Sequence, residues 1–168
     1  IYNLPTKNAS NLFLSISKGY KAGGFNTQMF SDVLQQKLMN IMGLSANYNI
    51  DEVVGYKPEQ SWNTELGTHL TSDNGKIIAD ISAFYIRCTD QQLTRFPEGN
   101  TTGRIMSNAG KARSFGAEAS LKYLPTKNLE LNASYGYTNA KFIEYNNGKE
   151  DYAGKYIPYS PTNTMFAG

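Results

Sequence analysis

Apolar and polar side chains alternate one by one through most of this chain. A period of two is the signature of extended strands with two chemically different faces. Residues 62–72 place Trp62, Thr64, Leu66, Thr68 and Leu70 on one face and Asn63, Glu65, Gly67, His69 and Thr71 on the other. Residues 76–88 set Ile77, Ala79, Ile81, Ala83 and Tyr85 against Lys76, Asp80 and Ser82, with Phe84 and Ile86 as apolar exceptions on the polar side. Residues 113–123 oppose Phe115, Ala117, Ala119, Leu121 and Tyr123 to Ser114, Gly116, Glu118, Ser120 and Lys122. Residues 129–139 oppose Leu129, Leu131, Ala133, Tyr135 and Tyr137 to Glu130, Asn132, Ser134, Gly136 and Thr138. Each run is roughly ten residues long, enough for a tilted strand to cross a bilayer.

An internal repeat gives these strands a direction. Leu4-Pro5-Thr6-Lys7-Asn8 recurs as Leu124-Pro125-Thr126-Lys127-Asn128. Each copy is a turn, and each precedes an alternating run containing Ser-x-Gly-Tyr, at Ser17–Tyr20 and Ser134–Tyr137. Equivalent strands therefore leave equivalent turns in the same direction. The connections alternate in length. Long ones are expected over about 21–61 and 143–158 and a medium one near 97–103, with tight turns at Asp73-Asn74-Gly75 and Pro125–Asn128. Short turns on one side and long loops on the other suit an antiparallel transmembrane barrel. Within the first long loop, Val33, Leu34, Leu38, Ile41 and Met42 recur at helical spacing, and a short helix is expected over 32–42.

Other chemistries find little support. The net charge of +2 offers no field for nucleic acid. The single cysteine, Cys88, excludes an internal disulfide and a cysteine-based zinc site. His69 stands alone, with no second ligand at metal spacing in the sequence. No nucleophile–base pair, phosphate loop or paired-carboxylate site stands out, so neither enzyme activity nor a cofactor is expected. Tyr (12), Phe (8) and Gly (15) are abundant while only 18% of residues are charged, which suits a barrel with aromatic belts and glycine bends. Tyr20, Tyr56, Trp62, Tyr85, Tyr123 and Tyr137 are the belt candidates. Gly19, Gly67, Gly116 and Gly136 fall on the polar face, where they either relieve curvature or admit a neighbouring backbone.

Several stretches together resemble the C-terminal barrel half of TonB-dependent outer-membrane receptors. They are Ser17–Asn26, Tyr56-Lys57-Pro58-Glu59, Trp62-Asn63 with Glu65-Leu66-Gly67, Phe84-Tyr85 with Asp90-Gln91-Gln92, and Asn108–Arg113. Gly116-Ala117-Glu118, Tyr135–Phe142 and Ile157-Pro158 complete the series in the same order along almost the whole chain. The overall look is closest to siderophore-type receptors. The resemblance implies an all-β fold of antiparallel barrel strands, with residues 1–168 forming about five complete strands and the start of a sixth. It also implies a bacterial outer-membrane location in contact with lipid, an N-terminal plug domain inside the barrel, coupling to TonB, and an iron–siderophore complex or similar large solute as cargo. The chain opens without a signal peptide and closes within an apparent strand, so a segment of a longer barrel is expected, with plug and TonB box outside these residues.

On this scheme Glu65, Asp80, Glu118, Lys122 and Glu130 line the lumen and face the plug, while the opposite face carries no charge except Lys18. Lys21, Asn26, Tyr48, Arg95, Tyr145 and Tyr152 lie on or near the long-loop side, where basic and aromatic groups suit an acidic or catecholate ligand. Two other readings share the strand pattern: a passive porin or adhesin barrel, and a soluble β-sheet binding module. A plug-like sequence upstream would separate the first from the importer. Monodispersity without detergent would identify the second.

Overall fold

A computed structural model describes residues 1–27, 34, 38, 41–43, 54–96 and 105–168. Among the described residues there are nine strands: β1 (Tyr2–Asn3), β2 (Asn11–Lys21), β3 (Gly24–Phe25), β4 (Gly55–Tyr56), β5 (Glu59–Thr71), β6 (Ile77–Arg95), β7 (Ile105–Thr126), β8 (Leu129–Tyr145) and β9 (Asn163–Ala167). Seven form one antiparallel sheet in the order β1-β2-β5-β6-β7-β8-β9, an up-and-down meander that does not close on itself. β3 and β4 make a separate short ladder. β2 and β8 run in the same direction, as the turn repeat requires.

Local chemistry sets the tight turns. Between β5 and β6, Gly75 adopts φ +66° and its N–H donates to the Ser72 carbonyl at 2.8 Å, while Asn74 Oδ1 accepts from the Lys76 N–H. Between β7 and β8 the last ladder pair is Thr126 with Leu129, leaving Lys127 and Asn128 at the tip. The first turn is tied to its neighbour, because Asn8 Nδ2 donates to the Ser72 carbonyl.

The strands are longer than the alternation suggested. β6, β7 and β8 run for 19, 22 and 17 residues, beyond the alternating runs 76–88, 113–123 and 129–139. The extra length lies at the loop end, where the pattern loses its strict period. Asp90, at φ +54°, accompanies a bulge in β6, and β7 slips by one position against β8 beside Lys111. A bulge flips side-chain parity, and this hid the continuation of the strands in the sequence. The helix expected over 32–42 falls largely outside the described residues. Of that stretch, Leu34, Leu38 and Ile41 have helical backbone, and the Met42 N–H donates to the Leu38 carbonyl at 3.0 Å.

The register assigns the two faces. Leu14, Leu66, Ala83, Ala117 and Tyr137 stand opposite one another in one row, and Leu12, Thr68, Ile81, Ala119, Tyr135 and Met165 in the next. These side chains are largely exposed; Leu14 retains 62% of its surface and Leu66 51%. Among the described residues no second layer covers this face. A soluble sheet would need one. What buried apolar core there is lies instead at the loop end, where Cys88, Ala112 and Phe142 are packed by Leu93, Tyr145, Tyr152 and Ile157.

The expectation that this apolar face carries only Lys18 is corrected. A single row joins Lys18, Trp62, Arg87, Arg113 and Lys141 across five strands. Arg87 has the parity of Tyr85 within the run 76–88, and Lys141 falls there because β8 extends past residue 139. Of the belt candidates, Tyr20, Trp62, Tyr85 and Tyr123 are exposed on this face. Tyr137 stands mid-strand, and Tyr56 belongs to β4, with its ring over Gly24. The level of the basic row is set by strand geometry. Arg87 lies ten residues beyond Ile77, the first outward apolar residue of β6. That is ~34 Å of strand, or ~26 Å of height at a ~40° tilt, close to the ~25 Å apolar band of an outer-membrane barrel.

Candidate functional site

The polar face carries every lumen candidate. Glu65, Asp80, Glu118, Lys122 and Glu130 all lie on it by register. They form small networks rather than a single cluster. His69 Nδ1 meets Asp80 Oδ1 directly across the ladder, and the Ser120 hydroxyl donates to Asp80 Oδ2 at 3.1 Å. His69 therefore does have a carboxylate neighbour, which the linear sequence concealed because pairing brings together residues eleven positions apart. Among the described residues no group of three metal-ligating side chains forms. Lys122 Nζ lies 2.9 Å from Glu130 Oε1. Glu65, Asp80 and Glu118 also line an open pocket of about 420 Å³, together with Phe13.

Two of the four glycines of this face, Gly67 and Gly116, have close aromatic neighbours within the sheet. The ring of Phe13 crosses Gly67, where an added Cβ would sit 2.6 Å from Phe13 Cε1. At Gly116 an added Cβ would meet the Tyr137 backbone carbonyl first and then the Phe84 ring, 2.7 Å away. Both glycines make room for an aromatic ring from a neighbouring strand, and Gly116 also for the Tyr137 backbone. Phe84, an exception to the alternation, is thus an inward ring with a prepared seat.

The loop end gathers residues that carried the family resemblance but had been given no role. Gln92 is buried in β6. Its side-chain Nε2 donates to the carbonyls of Ala22 at 2.8 Å and Lys57 at 3.1 Å. Its backbone N–H donates to Glu59 Oε2 at 2.9 Å, and the Cys88 thiol donates to Glu59 Oε1 at 3.3 Å. Asn108, on β7, accepts from the Lys57 N–H at 2.6 Å and donates to the carbonyls of Lys57 and Asp90. These bonds clasp both feet of the long loop to β6 and β7. Cys88 lies just beyond the apolar band. Burial, and then the Glu59 carboxylate, push its thiol up to about 12.

The six loop-side candidates separate into distinct roles. Asn26 is buried and exchanges two bonds with the Met106 backbone, each 2.9 Å, so its amide fastens the loop. Tyr145 and Tyr152 stack at 5.2 Å within the loop-end core, and the Tyr145 hydroxyl donates to the Thr94 carbonyl at 2.8 Å. Lys21 is the exposed last residue of β2. Tyr48 lies outside the described residues. Arg95 ends β6 and lines an open pocket of about 660 Å³ with Lys57, Asp90, Ser107, Asn108 and Asn146. Two cations and three neutral polar side chains against one carboxylate make this pocket fit for a polar ligand bearing negative charge.

The family model described as TonB dependent receptor-like, beta-barrel matches residues 1–168. Among solved structures, the ferric yersiniabactin uptake receptor FyuA from Yersinia pestis superposes with a TM-score of 0.62 at 19% identity, over 93% of this chain and 20% of that one. The copper transporter OprC superposes with a TM-score of 0.51 at 21% identity, over 79% of this chain and 18% of that one. At these identities the likeness concerns the fold, and the chain spans about a fifth of each neighbour's length.

Proposed function

The chain belongs to the TonB-dependent receptor β-barrel family, a family of transporters and receptors rather than enzymes, and from that membership we propose that it forms part of the wall of an outer-membrane importer driven by TonB. The apolar face meets lipid and the opposite face meets the lumen. There Glu65, Asp80, Glu118, Lys122 and Glu130 face water and an N-terminal plug domain. The tight turns are periplasmic and the loop end is extracellular. The observation that carries this reading is the register, which places the five lumen candidates on one face and an exposed apolar surface on the other.

The cargo is an iron–siderophore complex or a similar large chelate with exposed negative charge, taken up first at the loop end. Arg95 and Lys57 supply the positive charge of the pocket there, and Asn108 supplies a polar contact beside them. Lys21 and Tyr48 belong to the same side of the molecule. Asn26, Tyr145 and Tyr152 act in this scheme by holding the loops in place.

The test is whole-cell uptake of radiolabelled iron chelates by cells carrying the full-length gene, its deletion, or the Arg95→Ala form. Uptake should vanish on deletion and on collapse of the inner-membrane potential, and it should weaken in Arg95→Ala with the protein still present at the surface. Uptake of every chelate unchanged by deletion would refute the transport reading.

A further inference from the structure

Three long cations stand side by side on the apolar face, with no carboxylate among them. Arg87 is directly opposite Arg113, and Arg113 is directly opposite Lys141. Their backbones span ~10 Å across two strand spacings, within joint reach of one small anion. Like charges placed directly opposite in a sheet destabilise it. The adjacent outer row shows the usual remedy, since Lys111 there pairs with Glu144 at 2.7 Å. Arg87 and Arg113 are exposed, and neither has a carboxylate partner among the described residues. Lys141 lies 4.5 Å from the Tyr156 ring, and Lys18, at the far end of the row, lies 5.7 Å from the Trp62 ring.

The position of the row says what would neutralise it. It ends the apolar surface at the loop end, at the height where the hydrocarbon of a bilayer gives way to head groups. Aromatic side chains mark the same level: Trp62 is in the row and Tyr85 one row below it. We propose that Arg87, Arg113 and Lys141 bind the phosphate of a lipid head group in the leaflet bordering the loop end. This rests on the reading that the strands span the outer membrane. Arginine presents a planar fork suited to two phosphate oxygens, and Lys141 adds a point charge beside it. Acyl chains of the same lipid would lie along the exposed Tyr85 and Phe115 below.

The test uses full-length protein in nanodiscs of phosphatidylcholine doped with phosphatidic acid, with retained lipid counted by native mass spectrometry. Wild type should retain phosphatidic acid in preference to phosphatidylcholine. The Arg87→Gln/Arg113→Gln form should lose ~25-fold of that preference, at about fivefold per interfacial cation. The Arg87→Lys/Arg113→Lys form should keep most of it. Inorganic phosphate at matched concentration should not displace the lipid. Equal retention by wild type and the glutamine form would overturn the inference, and so would displacement by inorganic phosphate, which would make the row a free-anion site. Inserted protein with normal uptake but no lipid preference would sink this proposal alone. Protein that stays soluble and never enters the nanodisc would sink the membrane-spanning reading as well.

Discussion

Ala117 and Glu118 are neighbours in sequence that the register sends to opposite faces, so the same substitution at each isolates the effect of facing lipid. Ala117 stands opposite Ala83 and Tyr137 in the middle row of exposed apolar side chains. It lies six residues from Tyr123 at the turn end and four from Arg113 at the loop end of β7. In height that is ~16 Å and ~10 Å, within a few ångströms of the middle of a ~25 Å apolar band. An arginine there cannot bring its guanidinium to either interface without strain. The expected penalty is ~2–4 kcal/mol, which lowers the folding equilibrium ~30- to ~900-fold. Glu118 lines the open pocket of the polar face, so Glu118→Arg keeps its charge in water and should change stability little. The assay is urea-dependent folding of the full-length protein into lipid vesicles, read by the gel mobility of unboiled samples. A larger loss for Glu118→Arg than for Ala117→Arg, or equal losses, would refute the assignment of faces and with it the membrane-spanning reading.

Three further outcomes follow from the loop end and the glycine seats. Gly67→Ala should destabilise by ~1–3 kcal/mol through overpacking against Phe13, and Phe13→Leu in the same chain should recover most of it; an additive double variant in chemical unfolding would argue against the ring-over-glycine packing. Gln92→Leu leaves the Ala22 carbonyl without its side-chain donor and the Lys57 carbonyl with Asn108 alone, a local loss of ~1–3 kcal/mol, and limited proteolysis of the full-length protein should then cut the segment between β2 and β5 faster while the sheet stays intact. Because burial and Glu59 raise the Cys88 thiol, it should remain protonated and resist iodoacetamide at pH 8.5, and Glu59→Gln should speed alkylation only in part, since burial is the larger cause; labelling of the parent protein at the rate of a free thiol would contradict this.

Much of the sheet was legible because its signals are local. Alternation depends on side chains two apart, and the tight turns depend on Pro, Asn and Gly within four residues. The same logic gave the direction of β2 and β8 from the turn repeat. The strand ends were not legible, because bulges at Asp90 and beside Lys111 shift parity and break the alternation that marks a continuing strand. The partner of His69 was hidden for a different reason. Asp80 becomes its neighbour only through register, and register is fixed by the whole apolar face, not by either residue. The basic row was partly visible, since Arg87 and Arg113 already had the parity of Tyr85 and Phe115, but three strands had to be aligned before it became a row.

The loop-end residues show how a family signature and a binding site differ physically. Gln92, Asn108 and Glu59 recur in the stretches that resemble the family, yet their polar atoms bond backbone groups at the feet of the long loop. Asn26 does the same with Met106. A side chain whose donors and acceptors serve the chain's own backbone holds a loop in place whatever ligand that loop meets. Strands that continue past the apolar band serve the same end, because they carry the clasp as a rigid rim and leave Arg95 and Lys57 beside an open pocket above it. If the proposed import function holds, specificity is to be sought in side chains that project from the clasped loops and the rim pocket, and not in the amides that fasten them.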